Sequence, residues 1–143
     1  MLIFNKNYFS LTVVSFILEV IIVIFINDHF IRPYFGDFLI VILLYCFLKS
    51  FINLSIIKAA LSVLSLSFLI EFLQYIKLLE WFGLGNSKSA QLILGSHFSW
   101  IDIFAYTTGI MFVIFSEIQL NFAKRKYEIS YLRNKRKSFY QVN

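Results

Sequence analysis

Four long apolar runs dominate the sequence and limit the folds that it can adopt. They cover Leu11–Ile26, Phe38–Ile57, Ala59–Leu79 and Trp100–Leu120. A helix that crosses a bilayer needs roughly 20 mostly apolar residues, so each run is close to spanning length. A soluble chain of 143 residues, of which 59% are hydrophobic and 15% charged, could not bury that much apolar surface. The sequence therefore predicts an all-α integral membrane protein, a bundle of four transmembrane helices.

Short connections between the runs predict that sequential helices pack antiparallel. We expect a transmembrane domain over residues 1–123 and a basic cytoplasmic tail over residues 124–143. In the first long connection, Pro33 and Gly36 predict a turn, and Asp37 is placed to cap the second span. In the second, Ala90–Leu94 is apolar enough for a short interfacial helix before the fourth span.

The distribution of charge predicts how the chain is oriented. Seven cations and one anion, Glu128, stand between Lys124 and Lys137. If this tail lies inside, that side carries ten Lys and Arg residues and the other side three, so the positive-inside rule places both termini in the cytoplasm. The tail is best explained as a determinant of topology that also attracts anionic lipid. No specific nucleic acid partner is needed to explain it.

Polar residues inside the third and fourth runs predict where the functional site lies. Glu71 and Gln74 are three residues apart, which places them on one face of a helix. An acid at this depth is costly in lipid and should face protein or a water-filled cavity. At about 1.5 Å of helix rise per residue, Tyr106 lies at about the same depth as Glu71 and Gln74, and Asp102 lies a turn or so further out. We therefore expect these two helices to frame a polar site just below the outer surface.

Each of these side chains also has a structural interpretation. Asp102 could cap its own helix, because Ser99-x-x-Asp102 has the form of a capping box. Glu71 could be a buried neutral acid, and Gln74 could join neighbouring helices. Arg32 could bind an anionic group or pair with an acid such as Asp37.

Two further pairs bear on helix packing. Glu19 and Lys49 are each roughly 12 Å from the cytoplasmic end of their apolar runs, so we expect an ion pair between the first two helices. The alternative is that Lys49 extends toward the cytoplasm and leaves Glu19 protonated. Ala105 and Gly109 form a small-xxx-small pair that would let another helix approach closely.

The chain lacks the common catalytic and cofactor motifs. It has no Walker loop, no dinucleotide-binding glycine turn and no GxSxG. His29 and His97 lack the HxxxH or HExxH spacing of metal sites, and Cys46 is the single cysteine. We predict no metal and no cofactor.

From Glu19 to Gly109 the chain resembles a family of short bacterial membrane proteins of unknown function, some of which carry the label of a ribosomal maturation YjgA family. The resemblance rests on five segments: Asp28-x-Phe30-Ile31-Arg32-Pro33-Tyr34-x-Gly36-Asp37, Leu44-Tyr45-Cys46-x-Leu48-Lys49-Ser50-Phe51, Glu71-x-x-Gln74, Leu94-Gly95, and Phe98-x-Trp100-x-Asp102-x-x-Ala105-Tyr106-x-x-Gly109. The chain is also loosely similar to VanZ-like proteins, which share the Glu-x-x-Gln pair and an Asp on the next span. Tyr106 stands where that group usually has Asn, and Lys88 is the one candidate for its basic residue. This likeness implies a lipid-linked or cell-wall substrate at the outer face.

Three functions follow as hypotheses for a bacterial inner-membrane protein. The preferred one is a binding site for a lipid head group or cell-envelope intermediate, open to the outer leaflet. Its residues would be Arg32, Asp37, Glu71, Gln74, Asp102 and Tyr106. Glu71 and Asp102 are the candidate catalytic residues if a reaction occurs. The alternatives are a non-catalytic assembly or scaffold protein, and a small transporter or proton relay that uses Glu19 and Glu71.

Overall fold

A computed structural model describes residues 4–25, 31–83 and 98–141, with side-chain detail for 4–25, 34–83 and 98–133. The regular structure of these residues is helical, and they contain no β-strand. The helices are α1 (Lys6–Phe25), α2 (Ile31–Phe51), α3 (Ile56–Tyr75), α4 (Leu78–Trp81) and α5 (Trp100–Gln141).

Four of these helices are long and apolar enough to cross a membrane. The candidate spans are Lys6–Phe25, Tyr34–Phe51, Ile56–Tyr75 and Trp100–Arg133. Their large apolar side chains face outward, as Phe16, Ile24 and Leu61 illustrate, each more than half exposed. Polar side chains are buried instead, at Thr12, Ser15, Ser50, Ser67 and Glu71. Such a distribution is expected where the surroundings are lipid, and it confirms the predicted all-α class with four spanning-length helices.

The helices α1 and α2 begin earlier than the apolar runs indicated. Helix α1 starts at Lys6 rather than near Leu11, and α2 starts at Ile31 rather than near Phe38. The predicted turn at Pro33 and Gly36 is therefore wrong. Proline is tolerated in the first turn of a helix because the N–H that it lacks would have no helical partner there. Asp37 is consequently not the N-cap of α2 but lies well inside it.

Helix α3 ends before its apolar run does. Lys77 adopts a left-handed conformation with φ of 53°, and its N–H donates to the carbonyl of Gln74, so the chain turns out of the helix. The single turn of α4 follows, and Gly83 has φ of 67°. The predicted interfacial helix at Ala90–Leu94 lies outside the described residues.

Helix α2 is the centre of the packing. It contacts α1, α3 and α5, and α5 also contacts α3. The buried apolar side chains of the core come from α2, α3 and α5: Val41, Tyr45, Cys46, Ala59, Ala60, Val63, Tyr106, Ile110 and Val113.

Two small residues of α5 bring it close to α2, as the small-xxx-small pair predicted. Ala105 is buried, and a Cβ built on Gly109 would lie 2.8 Å from the carbonyl oxygen of Phe38 and 2.5 Å from Cγ2 of Val41. The contact with a backbone oxygen shows that only glycine fits at this crossing. The prediction of a close helix approach at this pair is confirmed.

Candidate functional site

Three acidic side chains from three helices meet at one end of the bundle. Asp37 comes from the first turns of α2, Glu71 from the last turns of α3, and Asp102 from the first turn of α5. Tyr106, one turn after Asp102, joins them. Its hydroxyl oxygen lies 3.2 Å from Oε1 of Glu71 and 3.3 Å from Oδ1 of Asp37. We refer to Asp37, Glu71, Asp102 and Tyr106 as the carboxyl cluster.

Local helix geometry explains why α5 contributes two members. Residues four apart lie above one another on a helix, so Asp102 and Tyr106 point the same way. Ala105 and Gly109 share that face and allow α2 and α5 to approach closely. The small residues thus bring Asp37 of α2 within hydrogen-bonding distance of Tyr106 of α5.

Glu71 is the most enclosed acid of the cluster, with 1% of its surface exposed. Its Oε1 faces the Tyr106 hydroxyl, and its Oε2 accepts the backbone N–H of Ser99 at 3.3 Å. The predicted capping box is therefore only half present. The Ser99 hydroxyl accepts the N–H of Ile101 at 3.2 Å, as an N-cap does, but the return bond to the Ser99 N–H comes from Glu71 rather than Asp102. Glu71 thereby ties the end of α3 to the start of α5.

The hydrogen bonds of the cluster need more protons than the tyrosine supplies. A phenol carries one proton, so Tyr106 can donate to only one of the two carboxyl oxygens at a time. An ionised carboxylate only accepts, so the oxygen that does not receive the Tyr106 proton needs a proton on one of the carboxyl groups or a donor from outside. The cluster is thus a set of acceptors suited to a molecule that brings N–H or O–H donors.

The two remaining predicted ligand-binding residues are placed less fully. Gln74 is half-buried, one turn after Glu71 in α3. The backbone of Arg32 lies in the first turn of α2, and its side chain lies outside the described residues, as do His29, Lys88 and His97. The structure therefore brings Asp37, Glu71, Asp102 and Tyr106 together, and the contribution of Arg32 stays a prediction.

A second polar cluster lies at the opposite end of the bundle. Lys49 pairs with Glu117 of α5, and the carboxylate of Glu117 also accepts the hydroxyl of Tyr45 and, at 2.6 Å, that of Tyr8. The ammonium of Lys49 lies 4.8 Å and 5.5 Å from the ring centres of Tyr8 and Tyr45, within cation–π range. We refer to Tyr8, Tyr45, Lys49 and Glu117 as the Lys49 cluster.

The predicted ion pair between Glu19 and Lys49 is wrong. Because α1 begins at Lys6 and α2 ends at Phe51, Glu19 lies about 20 Å from the start of α1, whereas Lys49 is two residues from the end of α2. The two residues are at different depths. Among the described residues, Oε1 of Glu19 is buried and has no hydrogen-bond partner.

Glu117 was not predicted from the sequence as a member of a polar cluster, because it stands inside the apolar run Trp100–Leu120. A signal for Glu117 exists in the sequence. It follows Tyr106 by eleven residues, which is three helical turns, so the two side chains share a face of α5.

Between the two clusters, this face of α5 carries Gly109, Ile110 and Val113, packed against Val41. An apolar layer therefore separates the carboxyl cluster from the Lys49 cluster.

Neither cluster has the geometry of a metal site. Within residues 4–25, 34–83 and 98–133, no group of three His, Cys, Asp or Glu side chains is arranged to hold an ion. Cys46 is buried and has no disulfide partner.

Comparison with known proteins gives one result. A family model described as a protein of unknown function, DUF2809, matches residues 26–110, which is more than half of the chain. This range contains every member of the carboxyl cluster, and it nearly coincides with the segment from Glu19 to Gly109 on which the resemblance to a family of unknown function rests. The family model carries neither the YjgA nor the VanZ label. No curated protein and no solved structure gives a significant match. The chain belongs to the DUF2809 family of proteins of unknown function.

Proposed function

We propose that the carboxyl cluster binds the polar head group of a membrane lipid or of a lipid-linked cell-envelope intermediate. The observation that carries this proposal is the enclosure of Glu71, which three helices bring together with two further acids close to the ends of their spans. Asp37, Glu71 and Asp102 each lie within five residues of the end of a candidate span. This supports a position at the depth where head groups meet hydrocarbon.

The chemistry of the cluster indicates which part of a head group it would hold. Carboxyl oxygens and a phenol offer acceptors for the hydroxyl groups of a glycerol or sugar and for an ammonium group. We infer that Arg32, whose backbone lies in the first turn of α2, would hold a phosphate on the same molecule. Glu71 and Asp102 are the groups that would transfer a proton if the bound molecule reacts. The loose similarity to VanZ-like proteins supports a substrate of this class.

The location is part of the same proposal. The tail and the Lys49 cluster lie at one end of the bundle and the carboxyl cluster at the other. With ten of the thirteen Lys and Arg residues on the tail side, we place both termini in the cytoplasm of a bacterium and the carboxyl cluster at the outer leaflet of its inner membrane. Labelling of a cysteine introduced at residue 137, from either side of the membrane, tests the orientation; reaction from the periplasm would contradict it.

The apolar layer between the two clusters favours a binding site over a proton relay or transport path. Val41, Ile110 and Val113 fill the space that such a path would need. If the protein is a scaffold instead, the carboxyl cluster only holds the helices together. Its replacement would then reduce stability, and no bound molecule would be lost.

Native mass spectrometry of the full chain, released from its own membrane, tests binding. We expect a retained lipid or lipid-linked molecule on the native protein and its loss on Glu71→Gln, because the amide keeps the shape but replaces an acceptor oxygen with a donor. The matched control is Glu80→Gln, the same change at an exposed residue after α3. Retention of the same molecule by Glu71→Gln would remove Glu71 from the binding site. Unfolding of Glu71→Gln with no molecule on the native protein would contradict binding and favour the scaffold function.

A further inference from the structure

Helix α5 extends well past the end of the bundle. The ion pair with Glu117 places that residue level with Lys49, two residues before α2 ends at Phe51. Helix α5 therefore passes the end of α2 near Leu120 and continues to Gln141, about 32 Å further. We refer to residues 121–141 as the arm. Every side chain from Ile118 to Arg133 is exposed, so no other described element covers this part of α5.

The first cations of the arm surround its axis. Lys124, Arg125 and Lys126 are consecutive and exposed. Successive residues of an α-helix differ by about 100° around the axis, so the three charges point over more than half of its circumference. A protein or nucleic acid that docks on one face would meet at most two of them. Molecules that surround the helix, as lipid head groups do, can meet all three.

The height of this triplet matches the head-group layer. At about 1.5 Å per residue, Lys124 and Lys126 lie roughly 6 Å and 9 Å beyond the level of Leu120. The polar layer on each side of a bilayer is about 5–7 Å thick, and long basic side chains reach along the helix toward it. Phe122 and Tyr127, 65% and 75% exposed, flank the triplet, and tyrosine favours this interface.

The charge of the same end is complementary to anionic lipid. Lys6 and Lys58 are also exposed there, while Glu117 is committed to Lys49 and Glu128 is the single acid among the described arm side chains. At the other end Lys77 is paired with Glu80 at 3.4 Å. Arg133 lies about 20 Å beyond Leu120, further from the lipid surface than the screening length of roughly 8 Å.

We propose that Lys124, Arg125 and Lys126 form a collar that binds the phosphate groups of anionic phospholipids in the leaflet at this end of the bundle. The three side chains spread over more than half of the circumference of α5 at the level where it leaves the hydrocarbon, and Lys6 and Lys58 extend the basic surface to α1 and α3. This collar is independent of the carboxyl cluster, which lies at the opposite end and offers acceptors rather than cations.

The test uses the full chain in nanodiscs that contain equal amounts of phosphatidylglycerol and phosphatidylcholine. The ratio of the two lipids retained after release is read by native mass spectrometry. Each cation near an anionic surface contributes roughly a five-fold preference, so we expect Lys124→Gln/Arg125→Gln/Lys126→Gln to lower the preference for phosphatidylglycerol by up to about 100-fold. The matched control, Lys135→Gln/Arg136→Gln/Lys137→Gln, removes equal charge further along the same helix and should retain most of the preference.

Three results would overturn the proposal. The native protein could retain both lipids equally, or the two triple variants could lose the preference to the same extent, which would indicate net charge rather than a collar. A short single-stranded RNA could bind the nanodisc-held protein through the same triplet while neither lipid is preferred, which would identify a nucleic acid partner instead.

Discussion

At the scale of the residue, Glu117 shows how this protein keeps a charge within the bundle. Its carboxylate accepts the ammonium of Lys49 and two phenolic hydroxyls, and the Lys49 and Glu117 side chains are only 10% and 12% exposed. Removing ions from water costs several kcal/mol each, and that cost is offset only when every charge keeps its partners. Removing one member of the pair should therefore cost more stability than the intact pair contributes.

Replacing one member of this pair should destabilise the fold. Lys49→Met leaves the carboxylate of Glu117 without its cation, so we expect the free energy of unfolding to fall by about 3–5 kcal/mol. The double replacement Lys49→Met/Glu117→Leu should recover most of this loss, because no unpaired charge remains. Unfolding in detergent micelles measures both.

An exposed ion pair provides the control for these variants. Lys77 and Glu80 are paired with side chains more than 60% exposed, so Lys77→Gln should change stability by no more than about 1 kcal/mol. If the double variant is as unstable as Lys49→Met alone, or if Lys77→Gln costs as much, the loss in Lys49→Met does not come from an unpaired buried charge.

Residue patterns predicted part of this polar chemistry. The spacing of Asp102, Tyr106 and Gly109 on one face, at the depth of Glu71, was sufficient to predict that three of the four members of the carboxyl cluster lie together. The partner of Lys49 was not predicted, because depths counted from the ends of apolar runs assume that helices begin where hydropathy rises. Helix α1 begins five residues earlier, so the assumed register between α1 and α2 was wrong.

At the scale of the element, the crossing of α2 and α5 sets the position of the carboxyl cluster. Without a side chain at residue 109, α5 lies against the backbone of α2 at Phe38, the residue next to Asp37. Close approach of two helices is what drives association in a membrane, where the hydrophobic effect between helices is weak. Gly109 thus supports both the packing and the site.

Substitution of Gly109 should separate the two helices. A Cβ at this position would lie 2.8 Å from the carbonyl oxygen of Phe38, so Gly109→Ala should cost about 1–3 kcal/mol of stability by overpacking. Gly36→Ala is the matched control, because a Cβ there meets nothing within 4 Å, and it should be neutral or stabilising by up to about 1 kcal/mol. Thermal unfolding in detergent compares the two; equal melting temperatures would contradict the tight crossing.

Helix ends were the least predictable feature of the elements. Apolar runs mark where a chain meets hydrocarbon, and helices extend beyond them when the flanking residues also suit a helix. Thus α2 includes Arg32 and Pro33, and α5 includes the whole of Lys124–Lys137. Conversely, α3 ends within its apolar run, because Lys77 adopts a left-handed backbone conformation. Hydropathy contains no information about backbone conformation, so it did not predict this end.

At the scale of the whole molecule, the described helices carry a polar cluster near each end and an apolar layer between them. The carboxyl cluster presents acceptors where α3 ends and α5 begins, and the Lys49 cluster joins α1, α2 and α5 at the other end. The basic arm continues from that second end. This polarity matches the proposal of a head-group site at one membrane face and a lipid-bound, basic surface at the other.

The proposed site depends on Glu71 facing Tyr106 and a bound head group rather than lipid chains. Solid-state NMR of the labelled full chain in bilayers made from its native lipids measures this directly. We predict a short-range contact between the carboxyl carbon of Glu71 and the phenolic carbon of Tyr106, together with a contact from Glu71 to a head-group carbon. Contacts from the Glu71 carboxyl carbon to acyl-chain methylene groups, with none to Tyr106, would contradict the account.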